Sequence, residues 1–192
     1  MPSHRPLLLS LFPSLALALL LMLALAAQAL ACTGIRIQAE DGSVVFARTM
    51  EFGHDIGSDL MFAPRGRQWA STMPDGGAAM AWTNRYAFLG PDGMGLPKPL
   101  EGMNEKGLYM AGFWMTEGET RYPEPDPSAA ARSIAQVDIT AWLLGTCATV
   151  DEVRAALADH KLVGVRVPSL DMVVLAHWVV VDASGKAIVI ES

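Results

Sequence analysis

The sequence has 192 residues, a formal net charge of -6 and two cysteines. The surplus of acidic residues argues against nucleic acid or an anionic membrane surface as a partner, and one cysteine pair is too few for a disulfide framework. A chain of this length is expected to form one domain around one hydrophobic core.

The N-terminus has the pattern of a targeting segment. His4 and Arg5 precede an almost continuous apolar run over 7–30, and the run ends in Ala29-Leu30-Ala31. A basic start, an apolar run and an A-x-A sequence are typical of a secretory signal peptide. We therefore expect cleavage before Cys32 and an exported protein, either periplasmic or secreted. The run is also long enough to span a bilayer, so an uncleaved anchor is the competing interpretation.

Cleavage at this point would make Cys32 the first residue, and three interpretations of it compete. It could be there by chance, or it could be the lipidated cysteine of a bacterial lipoprotein. Lipoprotein signals prefer Leu three residues before the cysteine, where this chain has Ala29. The third interpretation is an N-terminal nucleophile, whose thiol attacks a carbonyl while its own α-amine, with a pKa of roughly 7.7–8.0, takes the proton. In that case Cys147 is expected to be a buried small side chain.

The residues after Cys32 predict a β-hairpin. Apolar residues alternate over 33–39 and again over 44–50, and Asp41-Gly42 between them is a strong turn signal. With a two-residue turn, the numbers of facing residues add up to 83. In that register Cys32 faces Glu51, with Cβ atoms about 4.5–5.5 Å apart.

The same register places Arg48 opposite Ile35, on an otherwise apolar face. A buried guanidinium is costly unless it is paired, so Arg48 is expected to have a partner. The alternative is that Arg48 merely ends the strand in solvent.

Further elements follow in chain order. We expect strands over 84–89, over 107–114 and twice between 174 and 190 with a turn at Ser184-Gly185, helices near 130–145 and 150–159, and a surface loop over 116–128. Thr149 and Glu152 have the spacing of a capping box at the start of the second helix.

Several motifs occur in a fixed order between Cys32 and Glu191. They are Cys32-Thr33-Gly34, Phe46-Ala47-Arg48-Thr49-Met50-Glu51-Phe52, Glu101-Gly102-Met103-Asn104-Glu105-Lys106-Gly107-Leu108, Ala111-Gly112-Phe113-Trp114, Leu175-Ala176-His177-Trp178 and the segment 182–191. Together they resemble the choloylglycine hydrolase and penicillin V acylase family, which are N-terminal-nucleophile cysteine hydrolases of linear amides.

The resemblance implies an α+β fold, the four-layer αββα sandwich of N-terminal-nucleophile hydrolases. Residues 1–31 are then a signal peptide and 32–192 the N-terminal portion of the catalytic domain. The family continues well beyond this length, and its remaining half is expected to supply an Asn side chain as second oxyanion donor and a further active-site Arg. We therefore expect a fragment or a truncated product, inactive or poorly folded by itself; a catalytically dead remnant is one alternative.

The resemblance also implies site roles. Cys32 is the nucleophile and, through its α-amine, the base. Arg48 matches the family's active-site Arg, and a cation there favours the thiolate. Glu51, where the family usually has Asp, holds the α-amine. Trp114, where some relatives have Asn, provides a backbone N–H to the oxyanion hole.

Other polar residues receive structural interpretations. Asn104 and Glu105 are expected to shape a turn rather than to act chemically. His54, His160 and His177 lack the spacing of metal ligands, and neither a metal nor a cofactor is expected.

The expected partner is a small N-acyl amide such as penicillin V, a conjugated bile salt or an acyl-homoserine lactone. No nucleic acid and no stable membrane association after signal cleavage are expected, and the resemblance implies a homo-oligomer, a homotetramer in the family, for a full-length protein. A lipid-anchored binding protein acylated at Cys32 is the non-enzyme alternative.

Overall fold

A computed structural model describes residues 32–53, 55–115 and 121–191. The expected signal peptide, His54 and the first part of the 116–128 loop lie outside the described residues. No helix among the described residues is long and apolar enough to cross a membrane.

The described residues form mostly β-structure with two α-helices. The strands are β1 (Gly34–Gln38), β2 (Val44–Arg48), β3 (Leu60–Ala63), β4 (Gln68–Thr72), β5 (Ala78–Thr83), β6 (Phe88–Gly93), β7 (Leu96–Pro99), β8 (Glu101–Asn104), β9 (Tyr109–Trp114), β10 (Ser133–Ala135), β11 (Lys161–Val163), β12 (Arg166–Val167), β13 (Met172–Val173), β14 (Ala176–Val181) and β15 (Ala187–Ile190). The helices are α1 (Ile139–Thr146) and α2 (Val150–Ala158), and a short 3-10 helix spans Pro127–Arg132.

A seven-stranded sheet organises the fold. Its strand order is β15-β14-β9-β8-β6-β3, and β7 pairs with β6. β1–β2 and β4–β5 are separate antiparallel hairpins, while β10 and β11 form a short parallel pair. The predicted strands near 107–114 and 174–190 are confirmed as β9, β14 and β15, with Gly185 at a positive φ in the predicted turn.

The buried face of the sheet packs against α1. Gly102 of β8 gives the helix its close approach, because a Cβ there would lie 3.1 Å from Leu144. Almost every side chain of α1 is buried. At the start of the helix the buried Asp138 accepts a hydrogen bond from Ser71 (2.8 Å) and pairs with Lys98. Partners of this kind are needed because an unpaired buried carboxylate is costly.

The predicted helix over 130–145 is correct only in its second half. The 3-10 helix and strand β10 occupy the first half, and α1 begins at Ile139. Pairing with β11 holds Ser133–Ala135 extended, which is a tertiary contact that local sequence does not encode.

The second predicted helix is confirmed as α2, with its cap. Thr149 accepts a hydrogen bond from the N–H of Glu152 (3.2 Å). The Glu152 carboxylate accepts in return from the N–H of Ala148 (2.8 Å), one residue before the cap. Both bonds satisfy donors that a helix N-terminus otherwise leaves unpaired.

The β1–β2 hairpin covers the centre of the opposite face of the sheet. The Phe46 ring lies 4.7 Å from the Tyr109 ring, and a Cβ at Gly34 would touch Phe113. The described residues thus stack a helix, a sheet and a second β-layer. Beside the hairpin, Phe62, Leu89 and Met103 are cross-strand neighbours and remain exposed.

The predicted register of this hairpin is wrong by one residue. Gly34 pairs with Arg48 and Gln38 with Val44, so the numbers of facing residues add up to 82. The turn is longer than expected because Ala39 and Ser43 close it, through a hydrogen bond from Ala39 N–H to Ser43 O of 2.8 Å. Gly42 takes a φ of +85°, as the last residue of a three-residue loop requires.

The shifted register also exchanges the two faces. Ile35 and Ile37 lie with Val45 on the exposed face, and Arg48 shares the packed face with Phe46. This follows because side chains alternate strictly along a strand.

Candidate active site

Pairing of the hairpin strands extends to the residue that follows Cys32. The N–H of Thr33 donates to Thr49 Oγ1, and the N–H of Thr49 donates to Thr33 O, both at 2.9 Å. Cys32 is a half-buried thiol directly before this pair. With a register of 82, the predicted direct opposition of Cys32 and Glu51 does not hold.

The Arg48 side chain is buried and has a partner, as predicted. The alternative, in which Arg48 ends its strand in solvent, is wrong. Its side chain is 5% exposed, and Nη1 donates to Glu101 Oε2 at 3.1 Å. Its Nε donates to Thr49 O at 3.2 Å, and the guanidinium carbon lies 4.6 Å from the centre of the Phe113 ring. The structure therefore fixes a positive charge one residue from the Thr33–Thr49 pair, because Arg48 directly precedes Thr49.

Glu51 is an exposed side chain three residues beyond Arg48. Its neighbour Phe52 is half-buried, and the Phe52 ring meets the Trp114 ring edge-on at 5.4 Å. The segment after β2 thus runs beside the end of β9, so that Glu51 and Trp114 belong to the same region of the surface.

Trp114 ends β9 with 36% of its surface exposed. The N–H of Met115 donates to Leu175 O (3.0 Å), and the N–H of Gly112 donates to Leu100 O (3.2 Å) at the other edge of the strand. Because N–H directions alternate along a strand, the Trp114 N–H points to the same edge as that of Gly112, away from β14.

Sequence reasoning missed the residues that hold Arg48. Glu101 and Tyr109 lie on neighbouring strands, and the Tyr109 hydroxyl donates to Glu101 Oε2 at 3.1 Å. Burial, and then the charge of Glu101, raise the pKa of Tyr109 well above its usual value. The sequence did contain a signal for Glu101, because it is the first residue of the motif that also contains Asn104 and Glu105. Only these last two residues were assigned roles from the sequence.

Asn104 and Glu105 have the structural roles that were predicted. The buried Asn104 donates to Leu144 O (2.8 Å) and Cys147 O (2.7 Å) and accepts from the N–H groups of Lys106 and Leu108. It therefore joins the β8–β9 turn to the end of α1.

Glu105 anchors the same turn to the start of β6. Its carboxylate pairs with Arg65 and accepts from the N–H of Ala87 at 2.7 Å. Arg65 first, and then the Ala87 N–H, lower the pKa of Glu105 to about 2.

The described histidines and Cys147 make structural contacts. The His160 ring packs on Trp142 at 4.7 Å and the His177 ring on Phe113 at 5.4 Å. Cys147 is buried as predicted, and burial raises the pKa of its thiol to about 11. Within residues 32–53, 55–115 and 121–191, no group of three or more His, Cys, Asp or Glu side chains is arranged to hold a metal ion.

Comparisons with characterised proteins agree with the motifs. The chain is 28% identical over 165 residues to the bile salt hydrolase/transferase of Clostridium perfringens, covering 83% of this chain and 47% of that protein. It is 30% identical over 158 residues to the penicillin V acylase of Pectobacterium atrosepticum, covering 77% of this chain and 40% of that protein. The chain thus spans about half of these relatives or less.

The fold is also similar to the solved structures of such relatives. A mutant of the conjugated bile acid hydrolase from Clostridium perfringens superimposes with a TM-score of 0.71 at 27% identity, covering 84% of this chain and 48% of the other. The fold is accordingly part of the N-terminal-nucleophile hydrolase sandwich. The family model of the linear amide C–N hydrolases, choloylglycine hydrolase family, matches residues 32–192. This chain therefore belongs to the choloylglycine hydrolase family of linear amide C–N hydrolases.

Proposed function

We propose that the protein is exported, loses residues 1–31, and hydrolyses the linear amide bond of small N-acyl molecules with Cys32 as nucleophile. The observation that carries the proposal is the buried Arg48, whose charge is fixed at the end of the hairpin that follows Cys32. A nearby cation lowers the pKa of a thiol and increases the fraction of reactive thiolate.

The reaction has two steps. The Cys32 thiol transfers its proton to its own α-amine as sulfur attacks the amide carbonyl, and the resulting ammonium gives a proton to the leaving amine when the C–N bond breaks. Water then attacks the thioester, with the α-amine again as base, and releases the carboxylic acid and the thiol. The α-amine can act only if the bond between Ala31 and Cys32 has been cut.

Two other residues complete the proposed site within this chain. Glu51 accepts a hydrogen bond from the α-ammonium and so orients it. The Trp114 N–H donates to the oxyanion of the tetrahedral intermediate; its direction away from β14 supports this role. Loss of one oxyanion donor typically lowers kcat by about 10²–10³.

The relatives suggest the substrate class. Bile salt hydrolase and penicillin V acylase are named for N-acyl amides with a bulky apolar part. The half-buried Phe52 and the Trp114 ring, in contact beside the candidate site, suit an apolar acyl group. Penicillin V and conjugated bile salts are therefore the substrates to test first, followed by acyl-homoserine lactones.

The experiment begins with the intact mass of the protein after export. A mass beginning at unmodified Cys32 supports the proposal, whereas a mass raised by acyl chains or one that retains residues 1–31 contradicts it. Release of phenoxyacetate from penicillin V, and of glycine or taurine from conjugated bile salts, is then measured with the wild type, Cys32→Ser and Cys32→Ala.

Turnover by the wild type that both Cys32 variants lose would also show that the 192 residues suffice for activity. The same low rate in all three proteins would show that the 192 residues do not suffice for turnover. Covalent labelling of Cys32 by an acylating substrate analogue separates a failure of the first chemical step from a failure of later turnover.

A further inference from the structure

Arg48 is held by contacts with residues that have no role in the proposed reaction. Its Nη1 is bound to Glu101, its Nε to the carbonyl of Thr49, and one face of the guanidinium lies on the Phe113 ring. These three contacts restrain the guanidinium in position and in rotation, since each comes from a different direction of the planar group.

Glu101 is in turn held by Tyr109. The Tyr109 hydroxyl and Arg48 Nη1 both lie 3.1 Å from the same oxygen, Glu101 Oε2. Glu101 is itself only 20% exposed. Its carboxylate is therefore restrained to one orientation by a neighbouring strand, and a restrained carboxylate restrains its guanidinium partner.

The second terminal nitrogen of Arg48 is placed differently. Nη2 is buried and has no hydrogen-bond partner among residues 32–53, 55–115 and 121–191. A buried donor without a partner is costly, and a catalytic role is one explanation for such an exception. Binding of Glu101 to Nη1 leaves Nη2 as the donor that can meet an anion.

We propose that Glu101 and Tyr109 are positioning residues, which hold the Arg48 guanidinium so that Nη2 meets the charge on the Cys32 thiolate or the anion that replaces it during the reaction. This inference rests on the proposed function for the role of Arg48. It adds two residues on β8 and β9 that act through Arg48 and do not touch the reacting atoms.

A competing role for Glu101 predicts that its removal changes the thiol pKa in the opposite direction. If the carboxylate only neutralised a guanidinium that stayed in place by itself, its removal would expose more positive charge and lower the pKa of the Cys32 thiol. If Glu101 positions Arg48, its removal lets the guanidinium move away, and the thiol pKa rises. The direction of the change therefore separates the two roles.

The test is the pH dependence of Cys32 alkylation by iodoacetamide in the protein that begins at Cys32, with Cys147→Ala as the common background. Glu101→Gln is expected to slow alkylation at neutral pH roughly tenfold, by an upward change of the apparent thiol pKa. Tyr109→Phe, which removes only the hydroxyl, is expected to change the pKa in the same direction by less. A lowered or unchanged pKa in both variants would overturn the proposal.

Glu105→Gln is the matched control. It removes a carboxylate from the turn between the same two strands, and that carboxylate is bound to Arg65 rather than to Arg48. Its thiol pKa is expected to equal that of the background. An equal rise in Glu105→Gln would show a general effect of charge or folding and would contradict a specific role for Glu101.

The Arg48→Met background distinguishes a failure of the positioning role of Glu101 from a failure of the proposed function. If Arg48→Met raises the thiol pKa and Glu101→Gln adds nothing further to it, Glu101 acts through Arg48 as proposed. If Arg48→Met raises the pKa but Glu101→Gln alone does not, the positioning role fails and the proposed function stands. If Arg48→Met itself changes nothing, the proposed function loses its Arg48 step, and positioning falls with it.

Discussion

Gly34 and Arg48 are direct cross-strand partners in the β1–β2 hairpin, and the missing side chain of Gly34 leaves the space that Phe113 occupies. A Cβ at Gly34 would lie 2.9 Å from ring atoms of both Phe113 and Phe46. The same Phe113 ring supports the Arg48 guanidinium. Packing around the buried cation therefore requires a glycine on the opposite strand.

Gly34→Ala is accordingly expected to destabilise the protein and to disturb Arg48. Forcing a methyl group between two rings typically costs about 1–3 kcal/mol in the free energy of unfolding. Urea unfolding measures this loss, and iodoacetamide kinetics measure the accompanying decrease in the reactivity of Cys32. Gly53→Ala is the control, because a Cβ at Gly53 meets no atom within 4 Å. If both variants unfold at the same urea concentration, the tight packing at Gly34 has no energetic consequence.

The β1–β2 hairpin shows which structural features the sequence alone could predict and which it could not. Alternation of apolar residues was enough to predict both strands, and Asp41-Gly42 was enough to locate the turn. The same dipeptide fits a loop of two or three residues, however, and the difference of one residue moved Arg48 from opposite Ile35 to opposite Gly34. Loop length was decided by the closing pair Ala39–Ser43, which alternation alone does not specify.

The partner of Arg48 lay beyond sequence reasoning for a different reason. Burial cost predicted that a partner exists, but Glu101 is 53 residues away and reaches Arg48 only because the hairpin packs over β8. Contacts between layers depend on the packing of whole elements. Asn104 was easier to interpret correctly, because half of its hydrogen bonds go to its own turn.

Asn104→Ala is expected to be strongly destabilising without affecting the chemistry of Cys32. The substitution leaves the carbonyls of Leu144 and Cys147 and the N–H of Leu108 without their partner. Each unsatisfied buried group costs roughly 1–3 kcal/mol, so a loss of about 2–4 kcal/mol in the free energy of unfolding is expected after relaxation. Urea unfolding gives the loss, and the alkylation profile of the folded fraction is expected to match the wild type.

Met103→Ala provides the comparison for this prediction. Met103 precedes Asn104 on the same strand but is exposed, so its truncation is expected to change the free energy of unfolding by about 0.5 kcal/mol or less. A changed thiol pKa in folded Asn104→Ala would argue that the β8–β9 turn takes part in the proposed site.

The ion pair between Glu105 and Arg65 is expected to make the stability of the folded protein depend on pH in the acid range. Arg65 and the Ala87 N–H hold the pKa of Glu105 at about 2, below its ordinary value of 4.5. A folded-state pKa below the unfolded value stabilises the protein above pH 4.5, and this contribution is lost as the pH falls from 4.5 toward 2. Glu105→Gln is therefore expected to lower Tm at neutral pH and to approach the wild type near the acid end of this range.

Thermal unfolding of both proteins across that range measures the difference. The Glu105 side chain is accessible to solvent, so the effect is expected to shrink with added salt. Asp75→Asn, at an exposed turn position outside any ion pair of the described residues, is the charge-matched control. A Tm difference that stays constant from neutral pH to acid would show that the carboxylate charge is not what stabilises the turn.

The two cysteines are expected to react very differently in the folded protein. Burial raises the pKa of the Cys147 thiol to about 11, and its side chain packs in the core at the end of α1. A thiol that is both protonated and buried is inert toward alkylation at neutral pH. Iodoacetamide is therefore expected to add one label, at Cys32, and peptide mapping by mass spectrometry locates it.

Two variants and one condition make this prediction specific. Cys32→Ala is expected to abolish labelling, Cys147→Ala to leave its rate unchanged, and unfolding in urea to allow two labels. Labelling of Cys147 in the native protein would mean that the end of α1 opens on the timescale of the reaction, since a buried group reacts only through opening. Slow labelling of Cys32, at the rate of a free thiol of ordinary pKa, would instead count against a cation acting on that thiol.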